Sequence, residues 1–230
     1  MALDRSEVLA GALRLLDEVG LDALTMRRLA QALGVQAGAI YWHFADKQDL
    51  YDAMVDQLLA GLLAPPPSGS WDEQLAELSR RLVRALSRHR DGAKLATLGL
   101  RPGPNGLGMS EAMLGVMLDA GFDAKTTLWA TSVLGYFVLG YVIDVQALQA
   151  AKARGLDSVL RSMEQTLDRA QHPHLHEISV RGLVHMTKPR ELQARFEFGL
   201  NVIIDGFKAT HAATPAGRRA RPGTGGRRRR

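Results

Sequence analysis

The sequence predicts an all-α fold in two parts, a three-helix N-terminal unit and a larger helical unit behind it. Three observations lead there. Apolar residues recur at i, i+3 and i+4 along most of the 230 residues, the spacing of one helix face. Side chains that cap helix N-termini stand just before these periodic runs. No period-2 run is present, and no Asn-Gly or Asp-Gly pair lies between alternating segments as a hairpin needs.

The elements follow in order. Asp4 with Glu7 reads as a capping box, after which Val8, Ala12, Leu15, Leu16 and Val19 share a face. Gly20 closes that helix, with Leu21 supplying the apolar contact beyond it. Thr25 caps a short helix from Met26 to Leu33 that stops at Gly34. A second short helix starts near Gln36 or Ala37 and runs through Phe44. Asp46 and Asp49 open a connecting helix over 47–63, with Leu50, Met54, Leu58 and Leu62 along one face. PPPSGS at 65–70 is a break, and helices are then expected over about 71–88, 91–100, 105–120, 123–150, 155–171 and 189–209. RPGPNGLG at 101–108 is a turn, and HPHLHEISVRGLVHMTKP at 172–189 reads as a loop. The division expected is 1–48 for the N-terminal unit, 49–208 for the larger one, and 209–230 as a disordered Arg-rich tail with nothing to bury.

Charge is unevenly spread. The pI of about 9.8 comes from seven arginines in the tail; residues 1–208 hold 22 basic and 24 acidic side chains. Whole-chain charge therefore says nothing about nucleic acid. The chain has no cysteine, which removes disulfides, thiolate metal sites and cysteine nucleophiles and suits the cytoplasm. The N-terminus lacks the apolar run of a secretory signal. Residues 126–143 carry no charge over 18 positions, the lower limit for a membrane span. Early Thr, Ser and Gly interruptions and the absence of flanking basic clusters point instead to a helix buried in a bundle. No G-x-S-x-G, Walker A, dinucleotide or H-E-x-x-H motif is present, so no enzyme is expected and no cofactor.

Three of the 13 aromatic residues, Tyr41, Trp42 and Phe44, fall within four positions, with His43 between them. One helix face cannot bury four consecutive side chains, because successive residues turn by about 100°. The stretch LTMRRLAQALGVQAGAIYWHF resolves this. Leu29, Ala30 and Leu33 point inward, small Ala30 admits a second helix, Gly34 makes the turn, and Val35 and Ile40 fill the angle: the helix-turn-helix pattern. Ile40 and Phe44 then face the core while Tyr41, Trp42 and His43 face a DNA groove edge. Arg27 can fork onto guanine and Gln36 can read adenine or another base edge. Thr25, Tyr41, Trp42, His43 and Lys47 suit phosphates, with backbone donors from the start of the Lys47 helix. Arg28, Ala37, Gly38 and Ala39 complete the candidate double-stranded DNA face.

LGVQAGAIYWHFADKQDLYDAM resembles the recognition segment of the TetR family of transcriptional repressors. SRHRDGAKLATLGLRP at 87–102 resembles the segment of the tetracycline repressors that runs into the drug pocket. LGYFVLGYVIDVQALQ and FEFGLNVIIDGF resemble their dimerisation and C-terminal helices. The resemblance implies a homodimer whose two N-terminal units hold a palindromic operator and whose body binds a small-molecule effector. It also implies where that effector lies, at Leu63, Leu78, Leu82, Thr97, Arg101, Pro102, Met113, Tyr136 and Asp144. The family's magnesium-ligating histidine falls on Thr97, its drug-binding histidine and asparagine on about Leu63 and Leu78, and a lining glutamine on Met113. Its glutamate, which comes from the other subunit of the dimer, becomes Asp144 and another histidine Tyr136, while Arg101 and Pro102 are kept. A hydroxyl does not replace an imidazole at a metal, and Leu and Met cannot hold a polar drug edge. The expected effector is thus a more apolar molecule than tetracycline–magnesium, with no metal in the site. His172, His174 and His176 are read as a His-rich loop, since nothing fixes ligand geometry there. Two alternatives stay open: a ligand-sequestering helical dimer with vestigial DNA binding, and a regulator controlled by a partner protein.

Overall fold

The computed structural model describes residues 3–168, 170–178 and 187–213. Its helices are α1 (Arg5–Val19), α2 (Met26–Ala32), α3 (Ala37–Tyr41), α4 (Lys47–Leu58), α5 (Trp71–Leu86), α6 (Gly92–Leu98), α7 (Pro104–Asp119), α8 (Ala124–Ala153), α9 (Leu156–Thr166), α10 (Pro173–Ile178) and α11 (Pro189–Ala213). There is no strand among the described residues.

The caps form as the sequence requires. Asp4 and Glu7 make a reciprocal capping box on α1, and the Thr25 hydroxyl accepts from the Arg28 amide at 3.1 Å. Gly34 takes a left-handed φ of 68°, which lets the Val35 amide bond back to the Ala30 carbonyl at 3.0 Å. α1 to α3 close over Val8, Leu16, Leu24, Leu29, Ile40 and Phe44, all without exposed surface. The Arg5 guanidinium lies 4.2 Å above the Phe44 ring and covers it.

α8 is the centre of the larger unit, packed by α5, α6, α7 and α11. Arg80 of α5 forks onto Glu197 of α11 at 2.9 and 2.8 Å. Phe196 of α11 stacks on Phe137 at 5.4 Å, and the Tyr141 hydroxyl donates to the Leu192 carbonyl at 2.9 Å. The three-helix head docks on this body through the α5–α6 turn. Asp17 of α1 accepts from the Arg90 amide and lies against His89 Nδ1, both at 2.9 Å, while the Leu21 amide donates to Asp91 at 3.0 Å.

Several boundaries differ from the sequence reading. The connecting helix ends at Leu58, not near 63, because Gly61 adopts φ 74° in the following turns. α3 ends at Tyr41 because the His43 and Phe44 amides both return to the Ile40 carbonyl. α6 ends at Leu98, where the next amides turn to a side chain on α4 described below. α8 continues to Ala153, stopping before Gly155 at φ 91°, and α9 ends at Thr166. The expected loop from 172 contains α10, started by Pro173 in the first turn; residues 179–186 lie outside the described residues. α11 runs to Ala213, so 209–213 are helix and not tail; the rest of the expected tail lies outside the described residues.

The helix that holds the uncharged stretch is less buried than the sequence suggests. α8 is long and apolar enough to cross a membrane, yet its window is only 22% buried. Trp129 and Tyr136 stand 61% and 74% exposed, and on α11 Phe198 is 72% exposed. Two packed helices thus leave aromatic surface bare in the single chain, which a second copy would cover. Replacing both Trp129 and Phe198 with Glu is expected to turn a dimer into a soluble 25.1-kDa monomer with unchanged helix content, read by light scattering and circular dichroism.

Candidate nucleic-acid interface and effector cavity

The candidate DNA face is built on α2, α3 and the start of α4. Tyr41 is 51% and Trp42 90% exposed, while their neighbours Ile40 and Phe44 are fully buried. Ile40 and Tyr41 sit about 100° apart at the end of α3, and the turn that follows sends Trp42 outward and Phe44 back to the core. Arg27 and Gln36 are exposed, and their side chains make no hydrogen bond or ion pair among the described residues. Thr25 is at the N-cap of α2, and Arg28 folds back so that Nη1 donates to the Ala23 carbonyl at 3.3 Å. Gly38 faces outward, and a Cβ built there would meet nothing within 4 Å. Nothing inside the protein requires glycine at this helical position, where it costs up to about 1 kcal/mol relative to alanine. Ala37 and Ala39 flank it, so the outer wall of α3 is a small-residue surface that another molecule can approach closely.

Two features of this face differ from the expectation. His43 does not point to the groove edge: its Nε2 is 2.9 Å from the Leu3 carbonyl, tying down the residues before α1. The start of α4 is partly spent as a donor site, because Asp46 accepts from the Asp49 amide at 2.8 Å and Asp49 accepts from the Ala45 amide at 3.1 Å. Lys47 rests over the Tyr51 ring at 5.1 Å. Arg5 joins the face without having been singled out; its Nη1 donates to the His43 carbonyl at 2.7 Å. Its separation of 38 residues from His43 left no local signal.

The expected effector residues separate into two groups. Leu82, Arg101, Pro102 and Met113 line one cavity of about 290 Å³ between α4, α5, α7 and the α6–α7 loop. That is near the lower end for small-molecule sites. Val55 and Leu59 of α4 and Met109 of α7 complete its apolar wall. The others lie elsewhere. Leu78 is fully buried in the core, and Leu63 packs against the core outside this cavity. Thr97 is exposed, its hydroxyl donating to the Lys94 carbonyl at 2.7 Å. Tyr136 stands on the bare face of α8, and Asp144 is paired with Arg195 of α11.

Two carboxylates one turn apart on α4 stand in the cavity's polar wall, with Arg101 and Ser110 beside them. Asp52 Oδ1 accepts from Gln48 Nε2 and the Leu100 amide at 2.8 Å and from the Arg101 amide at 3.3 Å; Oδ2 accepts from Arg101 Nε at 2.8 Å. Gln48 also donates to the Leu98 carbonyl at 2.7 Å. Asp56 accepts from Asn105 Nδ2 at 2.8 Å and the Gly106 amide at 2.9 Å, capping α7 from outside it. Gly103 makes this approach possible: a Cβ there would stand 2.5 Å from the Asp56 carboxyl carbon. Burial pushes the Asp52 carboxyl up, but the bonds from Arg101, Gln48 and the two amides outweigh it and bring its pKa to about 2. Asp52 and Asp56 escaped the sequence reading because, apart from Gln48 to Asp52, their bonds span about fifty positions; the only signal was an Asp pair at i, i+4 beside an apolar stripe.

The His-rich stretch does not converge on a metal. His174 and His176 are two residues apart on α10, on nearly opposite sides of a helix, and no cluster of three potential ligands forms among the described residues.

Because the Asp52 pKa is depressed in the fold, its stabilisation is complete above the ordinary carboxylate range and is lost as pH falls from about 4 through about 2. Asp52→Asn is expected to cost about 1.5–3 kcal/mol at neutral pH, near the lower end because Arg101 is largely exposed. The gap from wild type should close over that acid range, as urea unfolding at several pH values would show.

Residues 8–54 match the family described as bacterial regulatory proteins, tetR family, and residues 63–211 match the tetracyclin repressor-like C-terminal domain. The class C tetracycline repressor protein of Escherichia coli is 35% identical over 216 residues, covering 92% of this chain and 94% of that protein. A solved structure of a possible TetR family transcriptional regulator from Streptomyces coelicolor A3(2) aligns with a TM-score of 0.78 at 37% identity, over 90% of this chain and 100% of the other. ActR of Streptomyces coelicolor in complex with actinorhodin aligns at 0.73 with 30% identity, over 91% and 98%. BioQ with its double-stranded DNA operator aligns at 0.65 with 29% identity, over 92% and 99%. Proteins of this kind bind double-stranded operator DNA as dimers and take small-molecule effectors. The chain belongs to the TetR family of DNA-binding transcriptional regulators, in its tetracycline-repressor-like group.

Proposed function

We propose that this chain is a homodimeric repressor that holds a palindromic operator and is released by a small, largely apolar molecule other than tetracycline–magnesium. One observation carries the reading. The cavity at Arg101, Pro102 and Met113 is walled by Asp52 and Asp56, and the helix bearing these two carboxylates begins at the candidate DNA face. A molecule entering the cavity meets the contacts that hold α4 to the body. It releases DNA to the extent that it binds better to the arrangement that cannot span two half-sites.

In this reading residues 1–48 are the DNA-binding head and 49–208 the effector-binding and dimerisation body. Arg27 and Gln36 take base edges, while Thr25, Tyr41, Trp42 and Lys47 take phosphates. Arg28 and the Ala37–Gly38–Ala39 surface complete the contact, while His43 is turned to Leu3. The effector class follows from the balance of polar and apolar groups that line the cavity. Both cavity carboxylates are already hydrogen-bonded, Thr97 is turned to its own helix, and Leu82, Met109, Met113 and Val55 supply the walls. ActR with actinorhodin supports an effector outside the tetracyclines. Binding to operator DNA implies work in the cytoplasm, and the role in this reading is regulatory, not enzymatic.

Footprinting of the purified protein on DNA around its own gene tests the reading; a protected palindrome of two half-sites is expected, and its absence with a folded dimer would overturn it. On that operator Arg27→Ala is expected to cost about 1–3 kcal/mol of specific binding. Gly38→Ala should shift the two properties in opposite senses, raising folding stability by up to about 1 kcal/mol while weakening operator binding. Release by tetracycline that requires magnesium and is blocked by a chelator would refute the effector assignment.

A further inference from the structure

A second cavity, of about 500 Å³, lies between α5, α8 and α11. It is separate from the effector cavity. Leu82 faces that one, whereas Val83, Arg84 and Ser87 face this one, roughly 100–200° further around α5. Its floor is apolar, made by Val83, Val145, Leu192, Phe196 and the ring of Tyr141. Its rim is basic. Arg80 is neutralised by its fork onto Glu197, but Glu77 is shared by two guanidiniums, Arg81 and Arg84, each at 2.9 Å. The Lys152 ammonium, across the opening on α8, has no hydrogen bond or ion pair among the described residues. The amides of Gln149 and Gln193 stand beside it, exposed and likewise without partners among those residues.

We propose that this cavity is a second ligand site, selective for an anionic aromatic or alkyl compound. The apolar body of a carboxylate or sulfonate lies against Tyr141, Val145 and Phe196, and its charge meets Lys152 and Arg84. Positive charge beside an apolar wall favours such amphiphiles over neutral molecules of the same shape, because the anion gains charge-assisted hydrogen bonds in addition to burial. Neutral apolar compounds lack the group that this rim binds.

The test uses the full chain without DNA, so its outcome is independent of the repressor reading. The probes are 1-anilinonaphthalene-8-sulfonate and the neutral N-phenyl-1-naphthylamine, followed by fluorescence. Lys152→Gln combined with Arg84→Gln is expected to weaken the sulfonate about tenfold and the neutral probe less than about twofold. Val145→Trp, which fills the floor, should abolish tight sulfonate binding, and Gln149→Trp at the exposed rim should do the same without burdening the core. Met109→Trp, which fills the effector cavity, should leave sulfonate affinity unchanged. Sulfonate binding that survives both cavity-filling variants, or that falls equally for both probes in the charge variant, would overturn the proposal. Light scattering and circular dichroism on each variant confirm that the folded dimer is what is being measured.

Discussion

The Asp52 carboxylate is the contact on which the arrangement of the two units depends. It takes four hydrogen bonds, three of them from the loop that joins α6 to α7. A buried carboxylate is costly unless it is satisfied in this way. Its requirement therefore fixes where α6 ends, since the Leu100 and Arg101 amides cannot both serve Asp52 and continue a helix. Asp56 one turn later fixes where α7 begins, by capping it at Gly106. The loop's shape follows from α4, and that same pair of side chains stands in the cavity's polar wall.

α6 links this contact to the reading head by a second route. It has only seven residues. At its N-terminal end Asp91 accepts from the Leu21 amide of the head, and the turn before it holds Asp17 through His89 and Arg90. At its C-terminal end the Leu98 carbonyl takes Gln48 of α4. The head is thus held at two places, through α4 directly and through the α5–α6 turn, and α6 spans the distance between them. A displacement of residues 99–103 acts on both attachments together. Packed cores respond to such loads by moving between discrete arrangements, not by deforming continuously.

What the sequence made legible was local. Asp4 with Glu7, Thr25, Asp46 with Asp49, and Gly34 each act within a few residues, and each formed as read. The exposure of Tyr41 and Trp42 followed from helix geometry, because Ile40 and Phe44 had to be buried. What could not be read was long-range. Nothing near Asp52 says that its partners are Leu100 and Arg101, and nothing near His43 says that its ring will go to Leu3. The C-terminal helix was cut short because ATHAA reads as the start of a polar tail, although it contains no residue that ends a helix. The effector residues divided for a related reason. A family correspondence aligns positions along one chain, whereas Tyr136 and Asp144 stand on faces of α8 that the cavity in this chain does not reach.

The bare aromatic surface of α8 gives that last point a physical meaning. Half-site spacing is a distance between two heads, and a single chain cannot set it. It is set by how two bodies pack, and the exposed side chains on α8 and α11 are the surface available for that. α8 is also the helix against which α5, α6, α7 and α11 pack. One helix therefore forms the core of the body, offers the surface for the partner and backs the elements that enclose the cavity. A ligand that shifts α7 or the α6–α7 loop against α8 need not reach the DNA face to change binding. It has only to favour one of two body packings by a few kcal/mol, the scale on which such equilibria invert.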